Sequence, residues 1–250
     1  MISNDLHIVK EFKGIDLKTL AQVDFDARVD TKFMFPASKL NDFFTALKGQ
    51  VCVLDMAGER QFHYKNVYFD YPNFEFFRQH HAGYLNRIKV RSRQYSEKGP
   101  FVFEIKKKTN KSKTEKRRIA LPSFSDGKSD LTEHYLQDQL GIGFNDLTET
   151  IGINYSRITM ADKAMTEKFT VDINLEAVYN RKTHLFEDVV IAEIKQERFS
   201  NNSLFVRELK KLKIYPSSFS KYCAAVLMHR PDIKHNRFKP LKVKLAALIK

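Results

Sequence analysis

The stretch Arg87-Ile88-Lys89-Val90-Arg91-Ser92-Arg93-Gln94-Tyr95 alternates charge with the period of a strand. Arg87, Lys89, Arg91 and Arg93 fall on one parity, and Ile88, Val90, Ser92 and Gln94 on the other. Side chains of a strand point to alternate faces, so four cations line one face and mostly apolar groups the other. The code recurs where Glu104, Lys106 and Lys108 oppose Phe103 and Ile105, and where Glu193 and Lys195 oppose Ala192 and Ile194. Upstream, Arg28, Asp30 and Lys32 share a parity against Val29, Thr31 and Phe33. Repeated on several strands, one charged and one apolar face predict a sheet wrapped around a polar centre. Cations crowded there repel one another unless a polyanion lies between them.

Outward from this ladder, Ala27–Phe35 reads as a strand stopped by Pro36. Ser38 stands where it can cap a helix with apolar positions Leu40, Phe43, Phe44 and Leu47, ended near Gly49. Val51–Asp55 and Phe62–Asp70 read as strands, whereas Phe74–His81 fits either a short helix or a strand. Leu85–Tyr95, Phe101–Lys108 and Lys113–Leu121 read as consecutive antiparallel strands, linked through Gly99-Pro100 and Thr109-Asn110-Lys111. Ser129–Leu140 predicts a helix that buries Leu131, Tyr135, Leu136 and Leu140. Strands resume at Ile153–Met160, Lys168–Ile173 and Val189–Lys195, followed by helices at Ser203–Leu212 and Ser218–Met228. A short helix is also expected near Leu17–Leu20. Residues 1–24 form a lead-in, 25–232 one unit and 233–250 a basic tail, read as an amphipathic helix or a packed terminus. The fold class this predicts is α+β, an antiparallel β-barrel around a tunnel with flanking helices.

Composition narrows the partner. The 250 residues are 42% hydrophobic, which suits a folded globular domain, and carry a formal net charge of +13. That surplus favours an anionic partner: nucleic acid, a phospholipid surface, a nucleotide or polyphosphate. Basic and aromatic residues do not interleave as an RNA-binding motif, so nucleic acid is not expected. Cys52 and Cys223 lack metal-ligand spacing and predict free thiols in a reducing, cytoplasmic setting. No signal-peptide pattern and no apolar run of membrane-spanning length is read in the sequence. No Walker-type glycine loop is present either.

Taken in order, a set of short motifs resembles the VTC domain, the polyphosphate polymerase domain of the vacuolar transporter chaperone complex and its bacterial relatives. They are Arg28-Val-Asp-Thr-Lys32-Phe, Tyr68-Phe-Asp70, the Arg87–Arg93 ladder, Phe103-Glu-Ile-Lys106, Lys116-Arg-Arg118, Asn154-Tyr-Ser-Arg157, Thr170-Val-Asp-Ile-Asn174, Ile191-Ala-Glu193-Ile-Lys195 and Ser220-Lys-Tyr222. The family belongs to the triphosphate tunnel metalloenzymes, the CYTH superfamily, whose antiparallel barrel encloses a charged tunnel. The resemblance implies phosphoryl transfer from ATP to a growing polyphosphate chain, assisted by Mn²⁺ or Mg²⁺.

Carried over by position, it implies Lys32, Arg91, Arg93 and Arg157 as catalytic cations, with Lys221 on a helix closing one tunnel end. It implies Arg28, Arg87, Lys89, Lys106, Lys116, Arg118, Tyr155, Lys168 and Lys195 as phosphate ligands or their neighbours. Glu193 is implied as the principal metal carboxylate, with Glu104 as a second. Lys168 departs from the family, where an arginine is expected, and lysine lacks the bidentate fork. Expected partners are ATP, polyphosphate or triphosphate, with a membrane protein partner as a further candidate, holding the domain at the inner face of a membrane.

The chemistry fits these residue types. A ring of guanidinium and ammonium groups binds clustered phosphate charge through charge-assisted hydrogen bonds. Hard carboxylate oxygens suit Mg²⁺ or Mn²⁺. The alternatives are a tunnel triphosphatase, with water as acceptor, and a non-catalytic polyanion-binding module. Asp70 and Asp172 are read as turn caps, and His80-His81, on a strand, as too divergent to chelate one ion.

Overall fold

In the computed structural model, which describes residues 6–23, 29–110 and 114–248, the charged ladder is a nine-residue strand, β5 (Arg87–Tyr95). The other strands are β1 (Lys13–Ile15), β2 (Val29–Pro36), β3 (Val51–Leu54), β4 (Phe62–Asp70), β6 (Phe101–Lys108), β7 (Thr114–Leu121), β8 (Thr148–Asp162), β9 (Lys168–Tyr179), β10 (Lys182–Leu185) and β11 (Val189–Gln196). Among the described residues the helices are α1 (Leu17–Ala21), α2 (Leu40–Leu47), α3 (Glu75–Ala82), α4 (Asp130–Leu140), α5 (Leu204–Lys211), α6 (Lys221–His229) and α7 (Lys239–Leu248).

One sheet runs in the order β2-β11-β9-β8-β4-β5-β6-β7, with β3 also paired to β8 and β10 to β9. Every pairing is antiparallel except β1 with β3, which is parallel. The barrel expectation needs one correction. Among the described residues the sheet is not closed, because β2 and β7 do not pair; Pro216 bridges Phe33, and the Ser217 N–H donates to the Lys32 carbonyl at 2.8 Å. It curls nonetheless. Lys106 on β6 feels the charges of Lys32 and Asp30 on β2, although five strands lie between them in the sheet order.

The apolar face of the strands points outward and is covered by helices. Phe33, Phe35, Ile158, Phe169, Val171, Val190 and Ile194 join Phe43, Phe44 and Leu47 of α2 and Phe205 and Leu209 of α5 in one buried cluster. Val90, Phe103, Ile105 and Leu136 of α4 build a second. A third lies at one tunnel end, where Met34, Tyr68, Tyr155 and Ile191 pack against Phe219 and Tyr222. Burying an aliphatic or aromatic side chain of this size contributes roughly 1.5–3 kcal/mol, so these layers hold the charged face inward.

Several local expectations shift. A 3₁₀ turn at Ala37–Lys39 precedes α2, which starts at Leu40 with no side-chain cap, so Ser38 does not cap it. In α4 Leu131 is 51% exposed, because Thr132 turns inward to bond the Gly127 carbonyl and the Ser129 N–H. Residues 75–82 are a helix, so His80 and His81 do not straddle a strand. Instead His80 Nδ1 meets the Cys223 sulfur at 3.0 Å, and His81 Nε2 accepts the Arg237 N–H at 3.2 Å. Gly83 ends α3 at φ 82°, a left-handed position that favours glycine. Both cysteines are free and buried. The tail from Lys239 is helical and packs Leu245 inward, and no helix among the described residues is long and apolar enough to cross a membrane.

Candidate functional site

Strand registers bring the charged parities together. Lys32 lies opposite Glu193, Asp30 opposite Lys195, Tyr68 opposite Arg91, and Asn66 opposite Arg93. Lys89, Lys106 and Lys116 form one cross-strand row, and Arg91, Glu104 and Arg118 the next. Arg157 lies opposite Asp172. The inner face therefore gathers cations from β2, β5, β6, β7, β8, β9 and β11, and α6 adds Lys221.

Three carboxylates divide this charge. Asp172, almost fully buried, receives Arg157 in bidentate fashion at 2.6 and 2.8 Å and also touches the Lys221 ammonium. Glu104, equally buried, is touched by Arg91, and Lys116 Nζ lies 2.8 Å from its other oxygen. Glu193 holds Lys32 at 2.8 Å and Lys195 in direct contact, and its side chain stays 20% exposed. Buried charges persist only when partnered, and each of these three has two partners.

Tyrosines fix the guanidinium groups. Arg91 Nη1 donates to the Tyr68 hydroxyl at 2.9 Å, and Tyr68 stacks on Tyr222. Arg93 donates to Asn66 Oδ1 at 2.7 Å and to the Tyr155 hydroxyl at 3.2 Å, while facing Tyr64 and Tyr95. Arg157 faces Tyr64 and Tyr155, which stack with centroids 5.2 Å apart, and Lys221 sits 4.5 Å from the Tyr155 ring centroid. Desolvated cation–π contacts of this kind contribute about 1–2 kcal/mol.

Crowding appears in the protonation equilibria. Burial, then repulsion from Lys89 and Lys32, lowers Lys106 to about 8. Burial also lowers Lys32 and Lys89. For Glu104 burial acts to raise the carboxyl, but Arg91, Arg93 and Lys116 outweigh it and hold it near 2. Asp172 is likewise held well below the usual carboxylate range, Arg157 and Lys221 overcoming its burial. Tyr68 falls to about 8, because Arg91, Lys89 and Arg93 outweigh burial.

The expected residues are thus largely gathered. Lys32, Lys89, Arg91, Arg93, Lys106, Tyr155, Arg157, Glu193, Lys195 and Lys221 share the interior face. Lys168 stands on the same parity of β9, opposite Lys195. Arg87 lies opposite Lys108 at the end of the ladder, and Lys116 and Arg118 occupy exposed positions of the edge strand β7. Arg28 lies outside the described residues. Asp70 is the expected cap, accepting the Tyr71, Phe76 and Phe77 N–H groups at 2.7–3.1 Å. Asp172 is not a turn cap but the strand partner of Arg157. Tyr64, Asn66 and Asp172 join the site beyond the expected residues; the shared parity of Tyr64, Asn66 and Tyr68 on β4 is the sequence signal for the first two.

The two proposed metal carboxylates differ in fit. Glu193 is partly exposed and offers hard oxygens beside the interior cations; Mg²⁺ and Mn²⁺ accept one or two carboxylates when substrate phosphates and water complete the shell. Glu104 does not fit, since its carboxylate is 1% exposed and lies between Arg91 and Lys116. Among the described residues no three His, Cys, Asp or Glu side chains cluster as a metal cage, so phosphate oxygens would have to supply the remaining ligands.

Compared with known families, residues 27–229 match the VTC domain. Among solved structures, one from Bacillus halodurans, described as a "putative adenylate cyclase", aligns with TM-score 0.52 and 15% identity, over 78% of this chain and 94% of its own. One of the same description from Vibrio parahaemolyticus aligns at 0.49 and 11%, over 81% and 99%. A Hippeastrum protein described as having a dominant triphosphatase activity aligns at 0.48 and 16%, over 81% and 95%. The Bacillus likeness shows a shared fold. No curated protein matches the chain by sequence.

Proposed function

The chain belongs to the VTC domain family, and from that premise we propose that it is an ATP-dependent polyphosphate polymerase working inside its basic tunnel. The observation that supports this reading most is the convergence of Arg91, Arg93 and Arg157 with Lys32, Lys89 and Lys106 on one inner face, instead of outward to bulk water. Such a face neutralises several phosphates at once, and its partly dry setting strengthens each contact.

In the reaction a terminal phosphate oxygen of the chain attacks the γ-phosphorus of ATP. A new P–O–P bond forms, the bond from Pγ to the bridging oxygen breaks, and ADP leaves with that oxygen. Arg91, clamped between Tyr68 and Glu104, and Arg157, clamped by Asp172, present fixed donors to the transferring group. Mn²⁺ or Mg²⁺, held by Glu193 and the substrate phosphates, would offset charge growing on the leaving oxygen.

A second reading is favoured by the apolar packing of α6 at one tunnel end. A tunnel closed at one end suits a short triphosphate, with water as acceptor. Incubation with ATP and Mn²⁺, with products sized on a gel, tests both. Long chains plus ADP are expected; orthophosphate released from ATP or tripolyphosphate without chain growth would replace the polymerase with a triphosphatase. Binding without any turnover would leave a polyanion-binding module.

A further inference from the structure

A long product needs a way out, and one end of the tunnel is stopped. Phe219, just before α6, and Tyr222, in its first turn, pack with Met34, Tyr68 and Ile191 into a buried apolar cluster. An ionic chain cannot cross such packing without losing its hydration.

The side wall differs. Residues 216–217, not β7, take the far edge of β2, and among the described residues β7 pairs only with β6. Among the described residues the outer edge of β7 is therefore an unpaired seam of the sheet. A row of cations leads to it across the strands. Lys89, Lys106 and Lys116 are direct register partners on β5, β6 and β7, spaced by the interstrand distance of about 4.8 Å. The row starts at the stopper, where Lys89 Nζ donates to the Ser220 hydroxyl at 3.0 Å, and ends on Lys116, which is paired with the buried Glu104 at 2.8 Å and whose side chain is 38% exposed. Arg118, on the same parity of β7, is exposed as well. Charged side chains protect any sheet edge from pairing, but these two project on the tunnel parity, continuous with the interior cations.

We propose that polyphosphate enters and leaves this tunnel sideways, an internal stretch of the chain lying along the Lys89–Lys106–Lys116 row and passing out through the seam, without threading past α6. The proposal rests on the polyphosphate reading above and specifies its substrate: a chain need not present a free end to be bound.

The test uses long polyphosphate biotinylated at both terminal phosphates and capped there with streptavidin, beside uncapped and singly capped chains, with binding measured on the intact protein. Sideways loading predicts that all three bind with affinities within about threefold of one another. It also predicts that the doubly capped chain is displaced by tripolyphosphate and bound at least about tenfold more weakly by Lys32→Ala, an interior change. Normal binding of uncapped and singly capped chains with loss of the doubly capped one means end-on threading and overturns the proposal alone. Doubly capped binding that neither tripolyphosphate nor Lys32→Ala weakens means attachment to the outer surface, and also overturns it. Failure of the uncapped chain to bind overturns the polyphosphate reading and the route together.

Discussion

Glu193 restrains two lysines while remaining open to the tunnel, so its charge matters twice. Glu193→Gln removes a hard anionic ligand and frees Lys32 and Lys195 from their partner. Metal-dependent turnover should fall about 100-fold or more, since a bridging ion supplies several kcal/mol of charge stabilisation. Metal-free tripolyphosphate should bind more tightly to the same variant; titration calorimetry beside steady-state rates checks both, and unchanged turnover would remove Glu193 from its role. Lys106 makes a separate prediction. Burial and its lysine neighbours set it near 8, so it is charged at pH 7 and largely neutral at pH 9. The kcat/KM for ATP, which reports the free enzyme, should fall by up to about tenfold across that interval, and Lys106→Arg should flatten the limb. Stability moves the other way. An unfolded lysine titrates near about 10.4, so between pH 8 and 10 the unfolded chain binds more protons, and this group's contribution favours folding as pH rises. An alkaline limb that survives Lys106→Arg would assign it to another group.

At the scale of elements, the Asp70 carboxylate joins three pieces. It ends β4, accepts N–H groups from the start of α3, and receives the Tyr222 hydroxyl of α6 at 2.5 Å. Asp70→Ala would strand those donors in a fully buried site, costing about 3 kcal/mol, whereas Asp70→Asn, which keeps an acceptor, should cost less. Urea denaturation checks the order; a loss below about 1 kcal/mol for the alanine would mean that the junction is not structural. Because Tyr222 stacks on Tyr68, which receives Arg91, the same junction ties α6 to an interior arginine. Alternation and apolar spacing predict β4 and α6, whereas residues 74–81 fit either a helix or a strand. The run Phe-Glu-Phe-Phe-Arg-Gln-His-His matches neither period well, and in the fold its first N–H groups are held by the nearby Asp70 carboxylate, which is itself fixed by the Tyr222 hydroxyl from the far end of the chain. The strands β1 and β10 have no signal in the sequence for a related reason. They are three and four residues long, too short to show an alternation, and gain their partners only from β3 and β9.

Over the whole molecule, a formal charge of +13 and an inward-facing cation array make polyanion binding an exchange of counterions. Affinity for long polyphosphate should therefore drop by about tenfold or more between 50 and 200 mM salt, and affinity for tripolyphosphate by less, because fewer phosphates are engaged. Equal salt slopes for the two ligands, measured by fluorescence titration, would show that only a few sites contact the long chain. The sequence alone determined the charged and apolar faces of the strands, the helices that cover the apolar face, and most of the candidate cations. Alternation is local, written residue by residue in segments such as Arg87–Tyr95, and a strand must present it whatever its neighbours. Only the tertiary structure decided that Arg157 belongs to Asp172, that Glu104 is enclosed between Arg91 and Lys116, that α6 packs its Tyr222 against Met34, Tyr68 and Ile191, and that β2 and β7 stay unpaired among the described residues. Those facts depend on strand order, register and closure, which are set by contacts between segments far apart in the chain and leave no period in the sequence.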